Sequence, residues 1–194
     1  MMNDTRLARS RWPAAIALTA AVLMGGTACS GDPFAFNWDD TPDTVLLYSL
    51  ARPELNLVSA FNFLQGIPVR VERATATGSW DAAVDTDGEQ IVLLAPGAFG
   101  VTGAARIATL EGLSYEDVTR APKDTLVFTA DQRVPVRMGN IYVVKTNRSL
   151  GSFGNSCVYY AKLQPIDIDA AGGTLTFRYV TNPVCNSPDL VPPN

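Results

Sequence analysis

The sequence predicts an all-β chain, folded as a single antiparallel β-sandwich or open barrel with one short helix. Three observations carry that expectation. Apolar residues recur with the strand period of two through most of residues 44–194. The candidate strands are short and separated by Gly, Pro, Asn and Asp, as in sandwiches and barrels. Helix boundary residues flank only one segment: Ser114 has Asp117 three positions on, a capping-box-like pair, and Pro122 stops any helix soon after.

In chain order, residues 45–50 form the first candidate strand, broken by Arg52-Pro53. Residues 55–64 fit either a strand or a short helix. Residues 68–73 alternate apolar and charged side chains, as a strand with one wet face does. Residues 80–85 and 89–94 flank Thr86-Asp87-Gly88, whose Asp-Gly step marks a hairpin. A glycine-spaced loop, 96–103, precedes a candidate strand at 105–110. Strands are expected again at 125–130, 134–138 and 141–146, with Gly139-Asn140 as a turn or a bulge. Residues 158–168 and 174–180 read as a closing hairpin around Asp169-Ala170-Ala171-Gly172-Gly173.

The amino terminus carries an address. Arg6, Arg9 and Arg11 precede the apolar run 14–24, and Gly25-Gly26-Thr27-Ala28-Cys29 follows. A basic start, a short apolar core and small residues before a cut point describe a secretory signal at 1–28. The run is too short to span a bilayer, which takes about 20 apolar residues. Thr27-Ala28-Cys29-Ser30 resembles the end of a bacterial lipobox, with Gly26 where Leu is usual. The resemblance implies that Cys29 is lipidated and anchors the chain to a membrane. An ordinary signal peptidase site, leaving Cys29 as a free thiol, is the alternative. Residues 29–43, rich in Asp, Pro and Gly, then form the tether, and 44–194 the single β domain.

Removing Cys29 leaves Cys157 and Cys185, an even pair suited to an oxidising compartment. A three-residue loop at 170–172, with Gly172 in the left-handed region, sets Asp169 opposite Gly173. Counted outward, it sets Cys157 opposite Cys185. The expectation is a disulfide at the open end of the hairpin, with Pro183 allowing a one-residue slip.

Composition closes several function classes. The chain has 15 Lys and Arg, 19 Asp and Glu, three Cys and no His. Without residues 1–28, which hold three arginines and one aspartate, the formal charge is −6. Histidine-dependent triads, Cys-His pairs and imidazole metal sites are excluded. The acidic balance argues against nucleic acid as a partner. The glycines of 97–103 lack the spacing of a dinucleotide loop and read as a connection between strands. Asp85, Asp87 and Glu89 surround a hairpin turn and lack the oxygen ligands of a calcium loop. Asp39, Asp40 and Asp43 read as solvated tether. No carboxylate pair is singled out, so a carboxylate-dependent hydrolase is the least favoured reading. Asn147-Arg148-Ser149 fits a glycosylation acceptor only formally in a bacterial lipoprotein. Arg133, Arg137, Lys145 and Arg148 form the one basic concentration, either a charged outer sheet face or a grip for an anion such as a haem propionate. Tyr159 and Tyr179 fall on one hairpin face and Tyr160 on the other.

Several segments resemble one family in order: Trp80-Asp81-Ala82-Ala83-Val84, then Ser114 to Thr119 with Pro122, then Ile141-Tyr142-Val143-Val144-Lys145-Thr146, Tyr160-Ala161-Lys162-Leu163 and Thr174 to Tyr179. Together they resemble the HmuY-type haem-binding lipoproteins. The resemblance implies an all-β, lipid-anchored envelope protein, with haem as the family's ligand. Characterised members hold haem through two axial histidines, whereas this chain has none and only Met138 as mature methionine. No ligand residue carries over, and neither a metal site nor a catalytic residue is assigned. The expected function is non-catalytic binding of a small ligand. A structural or assembly role beside other envelope proteins, at the outer membrane, is the alternative.

Overall fold

The computed structural model describes residues 38–73, 76–151 and 154–193. The signal segment, Cys29 and the tether up to residue 37 lie outside the described residues.

Twelve strands account for the fold: β1 (Asp43–Tyr48), β2 (Ala60–Asn62), β3 (Ile67–Val69), β4 (Ala82–Asp87), β5 (Gln90–Leu94), β6 (Arg106–Leu110), β7 (Arg133–Pro135), β8 (Ile141–Lys145), β9 (Ser149–Leu150), β10 (Ser156–Cys157), β11 (Tyr160–Asp169) and β12 (Thr174–Thr181). They build two five-stranded antiparallel sheets, ordered β1-β12-β11-β8-β6 and β3-β2-β4-β5-β7, plus the small β9–β10 pair. The sheets pack face to face as an open sandwich, so the barrel alternative falls. Trp38, ahead of β1, is buried.

Side-chain alternation explains the layers. Tyr142 and Val144 of β8, Ala161 and Leu163 of β11, and Leu175 and Phe177 of β12 face Phe61, Val84, Ile91 and Leu93 of the opposite sheet. Phe61, Phe63, Phe177 and Tyr179 meet mostly edge to face at its centre, a favoured aromatic geometry. Ile141 and Val143 point the other way, into a second cluster with Ala108, Tyr115, Val118, Ala121 and Leu190. Strand β8 is therefore buried on both faces, which is why residues 141–144 are apolar without a break.

The segment above that outer face corrects one expectation. Asp117 N donates to Ser114 Oγ, and Ser114 Oγ donates to Asp117 Oδ2 at 2.7 Å, so the capping pair forms. It closes one turn only, and no α-helix exists among the described residues. The chain from Tyr115 instead runs as an irregular cover. Lys162 Nζ holds it by donating to the carbonyls of Tyr115 and Val118 at 2.9 and 3.0 Å. Residues 125–130 are not a strand either. Thr125–Val127 is a 3-10 turn capped by Asp124, whose carboxylate accepts from Leu126 N, and only Thr129 bridges to Ile107. The strands expected at 68–73 and 134–138 shorten to β3 and β7, and the ambiguous stretch 55–64 holds β2.

Both hairpins form, with instructive differences. The β4–β5 loop is Gly88-Glu89 rather than Asp87-Gly88: Asp87 pairs with Gln90, and Gly88 takes φ +62° at the first loop position. In the closing hairpin Asp169 pairs with Thr174, so the loop has four residues, and Gly173, not Gly172, takes the positive φ. That longer loop alone would move every pair by one. A bulge at Ile166, beside Pro165, moves the register back, so that Pro165 faces Phe177 and Ala161 faces Thr181. The slip thus arises at Pro165, not Pro183, and the two departures cancel. Cys157 and Cys185 are joined as a disulfide with Cα atoms 5.1 Å apart.

Candidate functional site

On the outer face of the first sheet, Arg106, Lys145 and Tyr160 form one row. Arg106 pairs with Lys145 across β6–β8, and Lys145 with Tyr160 across β8–β11. They occupy the first position beyond the apolar cluster, where the cover stops shielding the sheet. Here the cover bends back, bringing Arg120, Lys123 and Phe128 over the row. The half-open cavity, about 340 Å³, has its lining completed by Ala121, Pro122, Thr125 and Pro188.

Each wall is fixed by backbone hydrogen bonds. Ala121 N donates to Pro188 O at 2.8 Å and Leu190 N to Thr119 O at 2.8 Å, stitching the cover to the carboxy-terminal segment. Thr129 and Ile107 exchange two bonds of 2.9 Å, fastening its far end to β6. Arg120 pairs with Asp189 at 3.0 Å, and Arg106 Nη1 donates to Ala105 O at 2.9 Å. Neither Lys145 nor Lys123 makes an ion pair among the described residues. Burial pushes the Tyr160 phenol above its ordinary pKa.

Four cations and no carboxylate line this space in a chain whose net charge is negative. Such a site suits an anion, and Phe128, Tyr160 and the prolines suit an apolar body attached to it.

The basic residues singled out from the sequence are mostly dispersed. Arg133 pairs with Asp85 at 3.3 Å on the second sheet, and Arg137 is exposed beyond β7. Arg148 donates to Ser156 Oγ at 3.3 Å by the β9–β10 pair. Only Lys145 reaches the cavity. Arg106, Arg120 and Lys123 were missed because their meeting depends on β6 pairing with β8. No local pattern announces that pairing. Tyr179 belongs to the aromatic core and Tyr159 is buried, while Tyr160 alone faces the cavity.

The remaining motifs are structural. The 96–103 loop holds a 3-10 turn, Pro96–Phe99, ended by Gly100 at φ +75°. Asp85 and Asp87 lie in the β4–β5 hairpin. Asp39 accepts from Thr41 N, Asp40 is exposed, and Asp43 opens β1. The Asn147 side-chain amide holds the loop, donating to Trp80 O at 2.6 Å and accepting from Ala104 N and Ala105 N.

No protein-family model matches this chain, and no curated protein sequence matches it.

Proposed function

We propose that this chain is a lipid-anchored envelope protein whose sandwich binds a small amphiphilic anion without transforming it. The lipobox-like Cys29 supports the anchoring. The cavity over Arg106, Lys145 and Tyr160 supports the binding, because it offers cations and an apolar wall but no carboxylate or thiol for catalysis. The HmuY-type likeness agrees with a capture role. Haem itself would have to place its propionates on these cations without a histidine on the iron.

Octanoate and inorganic phosphate titrated into the Cys29→Ser protein test the reading, followed by the backbone amide signals of Arg106, Arg120 and Lys145. Saturable shifts confined to these positions, lost in Lys145→Glu, are expected. Absence of saturation with both probes would remove the proposal. A Soret shift on adding haem, sensitive to the same substitution, would narrow the ligand to haem.

A further inference from the structure

The cavity does not end at its own rim. Arg106 and Phe128 also line a neighbouring groove, which carries Leu126 and Val127. Leu126 is 90% exposed and Val127 46%, on the 3-10 turn that Asp124 caps. Two apolar side chains held outward on a turn, beside Lys123 and Arg106, form a small amphipathic edge. Water gains nothing from such an arrangement. A bilayer interface takes apolar side chains at the acyl boundary and cations at the phosphate level. Charge complementarity favours the same occupant. The protein as a whole is acidic, yet Arg106, Arg120, Lys123 and Lys145 gather beside this turn against the carboxylates of Asp124 and Asp131, a local cation excess that an anionic surface attracts. The chain also enters the described unit on this side: Trp38 lines a cavity that shares Arg120 with the first.

We propose that the Thr125–Val127 turn inserts into the interface of a phospholipid bilayer while Lys123, Arg106 and Lys145 hold a lipid phosphate in the adjoining cavity. The proposal rests on the anion-binding reading and names the phospholipid headgroup as the anion.

Fluorescence at a single labelled thiol tests it. The full chain carrying Cys29→Ser and Leu126→Cys leaves one free thiol, because Cys157 and Cys185 are bridged. A nitrobenzoxadiazole label there should shift to the blue on phosphatidylcholine vesicles containing phosphatidylglycerol, and be quenched by spin labels in the acyl chains. The same label at Leu55→Cys, a site 76% exposed in the connection between β1 and β2, should remain water-like. Both labelled proteins share residues 1–37, so any vesicle attachment through that segment is common to them and the label is the readout. Lys123→Ala should raise the lipid needed for half the shift about fivefold, the worth of one cation at an anionic surface. A water-like label at 126, an equal shift at 55, or indifference to both phosphatidylglycerol and Lys123→Ala would overturn the proposal. If octanoate or phosphate still saturates the cavity in that case, the anion-binding reading survives alone. If neither does, both fall.

Discussion

The Asp81 carboxylate accepts the backbone N–H of Asn147 at 2.7 Å, joining the residue before β4 in one sheet to the residue after Thr146 at the end of β8 in the other. Its second oxygen accepts from Phe63 N at 2.9 Å, and the Asn147 side chain returns to Trp80 O. This polar knot closes one end of an otherwise apolar interface.

Asp81→Ala would strand two backbone N–H groups, at about 1–3 kcal/mol each. Urea unfolding should show a loss of about 2–6 kcal/mol. An unchanged midpoint would show that the knot is dispensable.

Burial raises the Asp81 pKa, with the hydrogen bonds from Asn147 and Phe63 opposing it. A raised folded-state pKa stabilises below the ordinary value and loses that stabilisation as pH climbs through the folded value. Relative to Asp81→Asn, whose side chain does not titrate, the wild type should therefore gain stability as the solution is acidified through this window. A difference between the two that is flat with pH would contradict the assignment.

Lys162 is a charged side chain only 3% exposed, fixed between two carbonyls and the Tyr115 ring, with Nζ 4.4 Å from the ring centroid. Lys162→Met keeps the stem but leaves the carbonyls of Tyr115 and Val118 unpaired, a cost of about 1–3 kcal/mol. The effect should be local. Hydrogen exchange at Ala121 and Leu190, whose amides stitch the cover, should quicken more than exchange in β8. Uniform acceleration would mean that the lysine supports the whole sandwich.

The bridge between Cys157 and Cys185 spans 28 positions and should contribute about 3–4 kcal/mol by loop-closure entropy. The Cys157→Ser, Cys185→Ser double variant tests this by urea unfolding. A loss under about 1 kcal/mol would show that the hairpin alone constrains the unfolded chain.

Ile166 is the extra residue of the β11 bulge, and Pro165–Phe177 and Asp167–Thr176 pair on either side of it. Deleting Ile166 leaves both pairs in place. The shortened chain should fold with the disulfide formed, as a thiol assay and circular dichroism would reveal. A reduced or unfolded product would show that the bend made by the bulge is essential.

Local pattern made much of the sandwich readable. Alternation or short apolar runs placed β1, β5, β6, β8, β11 and β12, and Asp87-Gly88 located a hairpin although its loop sits one residue later. Helix and strand failed where tertiary contacts override local preference. The Ser114–Asp117 pair caps a segment that Lys162 holds flat, and residues 125–130 touch β6 only through Thr129. The cavity was the least legible feature. Arg106, Arg120, Lys145 and Tyr160 become neighbours only through pairings between strands and segments distant in the chain. Charge clustering along the sequence pointed to Lys145, but grouped it with Arg133, Arg137 and Arg148, which lie elsewhere.

The row Arg106–Lys145–Tyr160 takes one side chain from each of three strands, two of them joined only through β8. A chain with any of these strands detached has no binding site to offer. An anion bound there, as proposed, would therefore select the finished sheet over every partly assembled form and raise the melting temperature with concentration. Peeling back the stretch that Lys162 fastens would let the guest escape without dismantling the aromatic centre. Retention of the proposed ligand would then be tunable from outside the row.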